Sequence, residues 1–158
     1  MYLNKRKIIF LISIFSLVLL LTINDIKSQE LKVIDGDTIH LNGEKIRFTG
    51  IDVPELNQTC IKEGINNYCG VTAKQILIDR IADKTVKCIS EGKDQYKRTL
   101  AECFVNNESL SSYLVRSGYA FAYRKYSKKF IEDENFAKTN QLGMWSMKFE
   151  YPWDFRKK

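Results

Sequence analysis

Short strand-like runs in meander order, an Asn42-Gly43 hairpin turn and an amphipathic helical pattern after the third run together predict an α+β fold, a five-stranded OB-type β-barrel with about three α-helices. Residues 31–34 and 38–41 combine Leu, Val, Ile and Thr, which suits short pleated strands. Asn42-Gly43 supplies the positive-φ pair a tight hairpin needs and returns the chain into a third strand at 45–51. Val71, Ile76, Leu77 and Ile81 then recur at helical spacing within 70–81. Residues 85–90 and 99–105 alternate as two further strands, with Asn106-Asn107 as the turn near their end. A second helix is expected over 109–117, stopped by Gly118, and a third over about 128–139, with Gly143 after it. No repeat, low-complexity tract or linker suggests a second domain.

The first residues stand apart. Lys5, Arg6 and Lys7 precede an apolar stretch, 8–21, broken only by Ser13 and Ser16. That is a charged start followed by a hydrophobic segment, short for a span of roughly 20 apolar residues. We read 1–28 as a signal peptide cut near Ser28 and 29–158 as the domain; the lack of an Ala-x-Ala site leaves an uncleaved anchor as the alternative. Export implies a periplasmic or secreted protein. The chain carries 25 basic and 19 acidic residues, a net of +6, but without 1–28 these become 21 and 18, a net of about +3. Charge alone is therefore a weak argument for nucleic acid.

All four cysteines, Cys60, Cys69, Cys88 and Cys103, lie after the expected signal segment. An even count in an oxidising compartment reads as two disulfides. Of the three pairings, position favours Cys60 with Cys69, closing a loop with Gly and Asn, and Cys88 with Cys103, joining neighbouring strands. A zinc site fits poorly, because no Cys-x-x-Cys pair occurs and the single histidine, His40, is distant in sequence. His40 lies on a strand with no evident partner, which argues against a histidine-based catalytic mechanism.

Three short pieces carry the chemistry: Asp35-Gly36-Asp37-Thr38, Arg47 leading into Asp52-Val53-Pro54-Glu55, and Asp94-Gln95-Tyr96-Lys97-Arg98. Asp37 and Asp52 fall at strand ends around a hairpin, so a barrel brings their carboxylates together, where like charges are tolerable with a cation between them. Oxygen-only ligands favour calcium over zinc or copper. Two guanidiniums, Arg47 and Arg98, have the planar fork that grips a phosphate. Taken alone, Asp35-Gly36 is an ordinary turn former. Together these groups form a kit for metal-assisted cleavage of a phosphodiester.

From about residue 31 to 156 the chain resembles the thermonuclease, or staphylococcal nuclease-like, family. The likeness rests on Val33-Ile34-Asp35-Gly36-Asp37-Thr38, on Arg47 five residues before Asp52-Val53-Pro54-Glu55, and on Asp94-x-Tyr96-x-Arg98 followed by Leu100-Ala101. Leu114-Val115-Arg116-x-Gly118-Tyr119-Ala120, Gly143-Met144-Trp145 and Pro152-Trp153 add to it. The resemblance implies the OB barrel and a Ca2+ site with Asp37 and Asp52 as side-chain ligands and the Val53 carbonyl as a third, with Asp35 acting through water. Family members often have Thr at position 53, a change that leaves a backbone ligand intact. Glu55 corresponds to the glutamate that orients or deprotonates the attacking water, and Arg47 and Arg98 to the two phosphate-binding arginines. Lys97 stands where the family usually has Gly. Tyr96 and Tyr123 match positions that contact the nucleotide, although packing explains a tyrosine equally well.

The implied function is an exported, calcium-dependent nuclease acting on DNA and RNA, breaking the bond to the 5′-oxygen and leaving 3′-phosphates, as a monomer with no obligatory protein partner. The alternatives are a catalytically inactive OB-type module that binds nucleic acid or a partner and, with an uncleaved N-terminus, a membrane-tethered structural or partner-binding domain. Trp153, Phe155, Arg156 and Lys157 at the C-terminus read as a tail packed onto the barrel by its aromatics rather than as a nucleic-acid patch.

Overall fold

The computed structural model describes residues 29–158, so the expected signal segment lies outside the described residues. In chain order the first half contains β1 (Leu31–Val33), β2 (Thr38–Leu41), β3 (Glu44–Phe48), β4 (Ile51–Asp52), β5 (Thr59–Lys62), β6 (Ile65–Tyr68) and α1 (Cys69–Ile81). The second half contains β7 (Val86–Lys93), β8 (Thr99–Val105), β9 (Glu108–Ser109), α2 (Leu110–Arg116), β10 (Phe121–Ala122) and α3 (Ile131–Thr139). A 3-10 turn (Gly143–Ser146) and α4 (Pro152–Phe155) follow.

β1, β2 and β3 form the antiparallel meander, β3 pairs in parallel with β8, and β8 pairs with β7, giving the order β1-β2-β3-β8-β7 with β9 added to β8. This is the OB-type arrangement of five principal strands. Gln29 links its two edges: just before β1, its side-chain amide donates to the carbonyl of Val86 and accepts from the Val86 N–H at 2.8 Å, as a strand partner would. Ile39, Ile46, Phe48, Ala101, Cys103 and Val105 line the inside, and α1 and α2 close the core with Leu77, Ile81, Leu110 and Leu114, all buried. Ser109 caps α2 by accepting the N–H of Ser112, which fixes its start just after the Asn106-Asn107 turn.

Four features differ from the sequence expectation. The third run is two strands: Gly50, at φ +72, turns the chain between β3 and β4. The segment between Cys60 and Cys69 belongs to a β-hairpin rather than a loop, turning at Glu63-Gly64, both at positive φ. Its residues are mostly exposed on both faces, so no hydrophobic alternation announces it. Strand β10 and helix α4 add two short elements, making four α-helices among the described residues, and α3 begins at Ile131 rather than near 128.

A second core lies beside the barrel. Phe121 packs against Trp145, Phe149, Tyr151 and Trp153 with ring centroids 5.1 to 6.0 Å apart. Met144 and the Cys60–Cys69 disulfide complete it. The other disulfide, Cys88–Cys103, joins residues directly opposite each other on β7 and β8. Both bridges close loops of modest length, so reduction is expected to lower stability by about 2 to 5 kcal/mol in total. Thermal unfolding with and without reductant checks this, and four free thiols on peptide mapping would contradict the pairing.

Candidate active site

Asp37 and Asp52 are brought together by strand geometry. Asp37 directly precedes β2, whose first residue, Thr38, lies opposite Arg47 on β3, and the Asp37 carbonyl accepts the N–H of Phe48. Asp52 ends β4 and lies opposite Phe121 on β10, the centre of the aromatic cluster. Both carboxylates are buried, at 1% and 0% exposure. Arg47 spans them: Nη1 donates to Asp37 Oδ1 at 2.9 Å and Nη2 to Asp52 Oδ1 at 3.4 Å.

The rest of the site fills in around this pair. Thr38 Oγ1 also donates to Asp37 Oδ1, while Asp37 Oδ2 is buried without any hydrogen-bond partner. Burial pushes the Asp37 carboxyl up to about 7, outweighing the opposing pull of Arg47. Asp35 accepts the N–H of Asp37 at 3.0 Å, so its carboxylate shapes the turn into β2 as well as lining the cleft. The cleft is bounded by Asp35, Asp37, Arg47, Asp52, Val53, Pro54, Glu55 and Arg156, and encloses about 20 Å³, room for one water-sized or ion-sized occupant.

These residues fit a hard cation. Two buried carboxylates, one of them with an unpartnered oxygen, Asp37 Oδ2, supply oxygen donors in a cleft that Val53 also lines. Among the described residues no group of three or more His, Cys, Asp or Glu side chains is placed to hold a metal ion, so the fit rests on two carboxylates rather than on a complete cage of side chains.

Glu55 sits at the mouth of the cleft on the loop between β4 and β5. That loop is fixed from two directions. Gln58, fully buried, accepts the Glu55 N–H and donates to the carbonyl of Glu150 in the C-terminal tail at 2.7 Å. Gly70, in the first turn of α1, lies so close that a Cβ there would fall 1.8 Å from the Glu55 carbonyl oxygen, so only glycine lets the helix approach.

Arg98 and Tyr96 lie elsewhere, on the turn between β7 and β8, and border neither cleft. Arg98 Nε donates to Asp94 Oδ2 at 2.7 Å, and its guanidinium lies 5.6 Å from the Tyr96 ring centroid. Burial raises the Asp94 carboxyl, but hydrogen bonds from Arg98 and Tyr96 outweigh this and hold it below its ordinary pKa. Lys97 accepts the left-handed conformation at φ +63, so the turn forms without glycine. Tyr96 is 71% exposed. Tyr123 stacks on Trp153 and borders a second, wider cleft of about 320 Å³ with Ala122, Arg124, Lys125, Trp153 and Lys157.

Sequence reasoning missed Arg156 and Gln58. Arg156 follows α4 and reaches into the cleft: Nη2 donates to Asp52 Oδ2 at 2.6 Å and Nη1 to Glu55 Oε1 at 2.8 Å. Partial burial works against its charge, but the bonds to Asp52 and Glu55 outweigh that and hold its pKa above the ordinary arginine value. The aromatic tail does pack onto the barrel, as expected, and that packing delivers the guanidinium. No local motif marks either residue, because both act across about a hundred positions of sequence.

Comparison with known proteins follows the same lines. The model of the family described as "Staphylococcal nuclease homologue" matches residues 45–147. An "Uncharacterized endonuclease" of Haemophilus influenzae is 29% identical over 144 residues, covering 83% of this chain and 76% of that protein. The "Endonuclease YhcR" of Bacillus subtilis is 35% identical over 146 residues, covering 79% of this chain but 12% of the longer protein. A "Probable staphylococcal-like nuclease CAN3" of Oryza sativa is 31% identical over 116 residues, covering 72% and 28% respectively. With its OB-type barrel, its paired carboxylates and a family match over most of its length, the chain belongs to the staphylococcal nuclease homologue family.

Proposed function

We propose that this nuclease-family chain is an exported, calcium-dependent phosphodiesterase acting on DNA and RNA and leaving 3′-phosphate ends, with 1–28 as its signal peptide and 29–158 as a monomeric catalytic domain. The observation that carries the reading is the cleft in which Arg47 bridges buried Asp37 and Asp52 while Asp37 Oδ2 has no partner. Two disulfides are in keeping with an oxidising compartment. No helix among the described residues is long and apolar enough to cross a membrane.

Calcium bound here by Asp37, Asp52 and the Val53 carbonyl would supply positive charge to acidify water and polarise the phosphate. Glu55, at the cleft mouth, accepts the proton from the attacking water. Arg47, whose two Nη groups bond Asp37 and Asp52 in the metal-free chain, would offer its fork to the equatorial oxygens where a bound cation took over those carboxylates. Arg98 and Tyr96, on the β7–β8 turn, and Tyr123, in the wider cleft, are assigned to more distant parts of a bound strand. Arg98 bonds Asp94 through Nε, which leaves its Nη groups to meet a phosphate.

The decisive experiment incubates purified residues 29–158 with single- and double-stranded DNA and RNA, with calcium and with excess chelator. Cleavage only with calcium is expected, falling roughly 100-fold or more in Glu55→Gln while calcium still binds. Binding without cleavage in every condition would instead identify a non-catalytic OB module.

Arg47→Lys tests geometry apart from charge. An ammonium keeps the charge but cannot span Asp37 and Asp52 or present a planar fork, so the single-turnover rate should fall nearly as far as in Arg47→Ala. A rate close to that of the unaltered protein would reduce residue 47 to long-range attraction.

The raised Asp37 carboxyl gives a pH prediction. In the metal-free chain the folded state keeps this proton up to about pH 7, whereas the unfolded state releases it near the ordinary aspartate value of 3.8. Stability contributed by the neutral form is therefore fully present below that lower value and is lost as pH rises towards 7. Calcium takes the ionised form, so its affinity should rise by up to about tenfold per pH unit between pH 5 and 7 and level off above. Calorimetry in buffers of different ionisation enthalpy should detect release of close to one proton at pH 6 and almost none at pH 9.

A further inference from the structure

Arg156 belongs to neither of the strands that build the cleft. It follows a four-residue helix, α4, whose position comes from the aromatic core: Tyr151 and Trp153 stack 4.5 Å apart, and both pack on Phe121. Its guanidinium joins the two carboxylates that the site reading uses for different purposes, Asp52 for the cation and Glu55 for the water. The two oxygens of Asp52 are thereby divided, Oδ1 facing Arg47 and Oδ2 facing Arg156. A cation coordinated by Asp52 meets Arg156 on the same carboxylate.

We propose that Arg156 is a positioning residue of the active site, which fixes Glu55 relative to Asp52 and shares Asp52 with the bound cation. The proposal deepens the nuclease reading and rests on it for the role of Glu55. Two physical consequences are separable. As a positive charge in contact with Asp52, Arg156 opposes the cation, so its presence weakens calcium binding. As a fork with one nitrogen on each carboxylate, it holds the partly exposed Glu55 side chain at a set distance from the metal ligand. The first depends on charge alone. The second depends on the planar two-pronged geometry.

The test compares the unaltered chain with Arg156→Ala and Arg156→Lys, measuring calcium affinity by calorimetry without substrate and single-turnover cleavage of a single-stranded DNA oligonucleotide at saturating calcium. In Arg156→Ala, calcium should bind about fivefold more tightly, while the cleavage rate falls about tenfold or more and substrate affinity changes much less. Arg156→Lys should return calcium affinity towards the unaltered value without restoring the rate, a split that a purely structural tail contact would not produce. If Arg156→Ala unfolds, Arg156→Gln carries the same comparison. Calcium affinity that is unchanged or weaker without the guanidinium overturns the shared carboxylate, as does the absence of calcium binding to any form. An unaltered rate overturns the positioning role. Tighter calcium binding in Arg156→Ala, in a chain that cleaves nothing, would sink the nuclease reading and leave the shared Asp52 standing.

Discussion

The constraint on which the rest of this molecule depends is the burial of two carboxylates, Asp37 and Asp52, within the span of one guanidinium. Removing a carboxylate from water costs several kcal/mol, and two together cost more because they repel. Arg47 offsets part of that cost, and it does so from a strand inside the sheet. Its neighbours are Thr38 on β2 and Leu100 on β8, so the backbone of β3 is paired on both sides. The offset is incomplete: burial still pushes the Asp37 carboxyl up to about 7, and one of its oxygens has no partner. In the proposed nuclease, a bound cation would offset that deficit.

The second core serves the same end. Phe121 lies opposite Asp52 in the β4–β10 pair while its ring sits at the centre of the aromatic cluster, so tail packing and carboxylate placement share a residue. Glu134, buried on α3, accepts the N–H of Ala122 and pairs with Arg124, holding β10 from the other side. The Cys60–Cys69 bridge lies in this cluster, and Cys69 starts α1, whose Gly70 lies against the Glu55 carbonyl. The disulfide therefore stabilises the loop that carries Glu55 as well as the domain.

Much of this was legible in sequence because it is local. The meander, the Asn42-Gly43 turn, α1 and the β7–β8 pair each follow from periodicity or turn chemistry within about a dozen residues. Asp37, Arg47 and Asp52 could be grouped because a single hairpin links them. What stayed hidden depends on tertiary contact. The hairpin at Thr59–Tyr68 is mostly exposed, so neither face carries an apolar signature, and β4 and β10 are two-residue strands defined only by each other. Gln58 and Arg156 acquire meaning only when the tail is laid across the β4–β5 loop.

The two arginines of the cleft differ in what holds them, and that difference orders the site. Arg47 stands on a strand laddered on either side, so the backbone that carries its fork is held by the barrel. Arg156 hangs from a helix too short to be stable alone, held by stacked rings and by its own bonds to Asp52 and Glu55. A competing positive charge at Asp52 therefore meets a guanidinium on each of its oxygens. The barrel supplies the geometry of the buried carboxylates, and the tail supplies the second guanidinium, which ties Asp52 to Glu55 across the cleft.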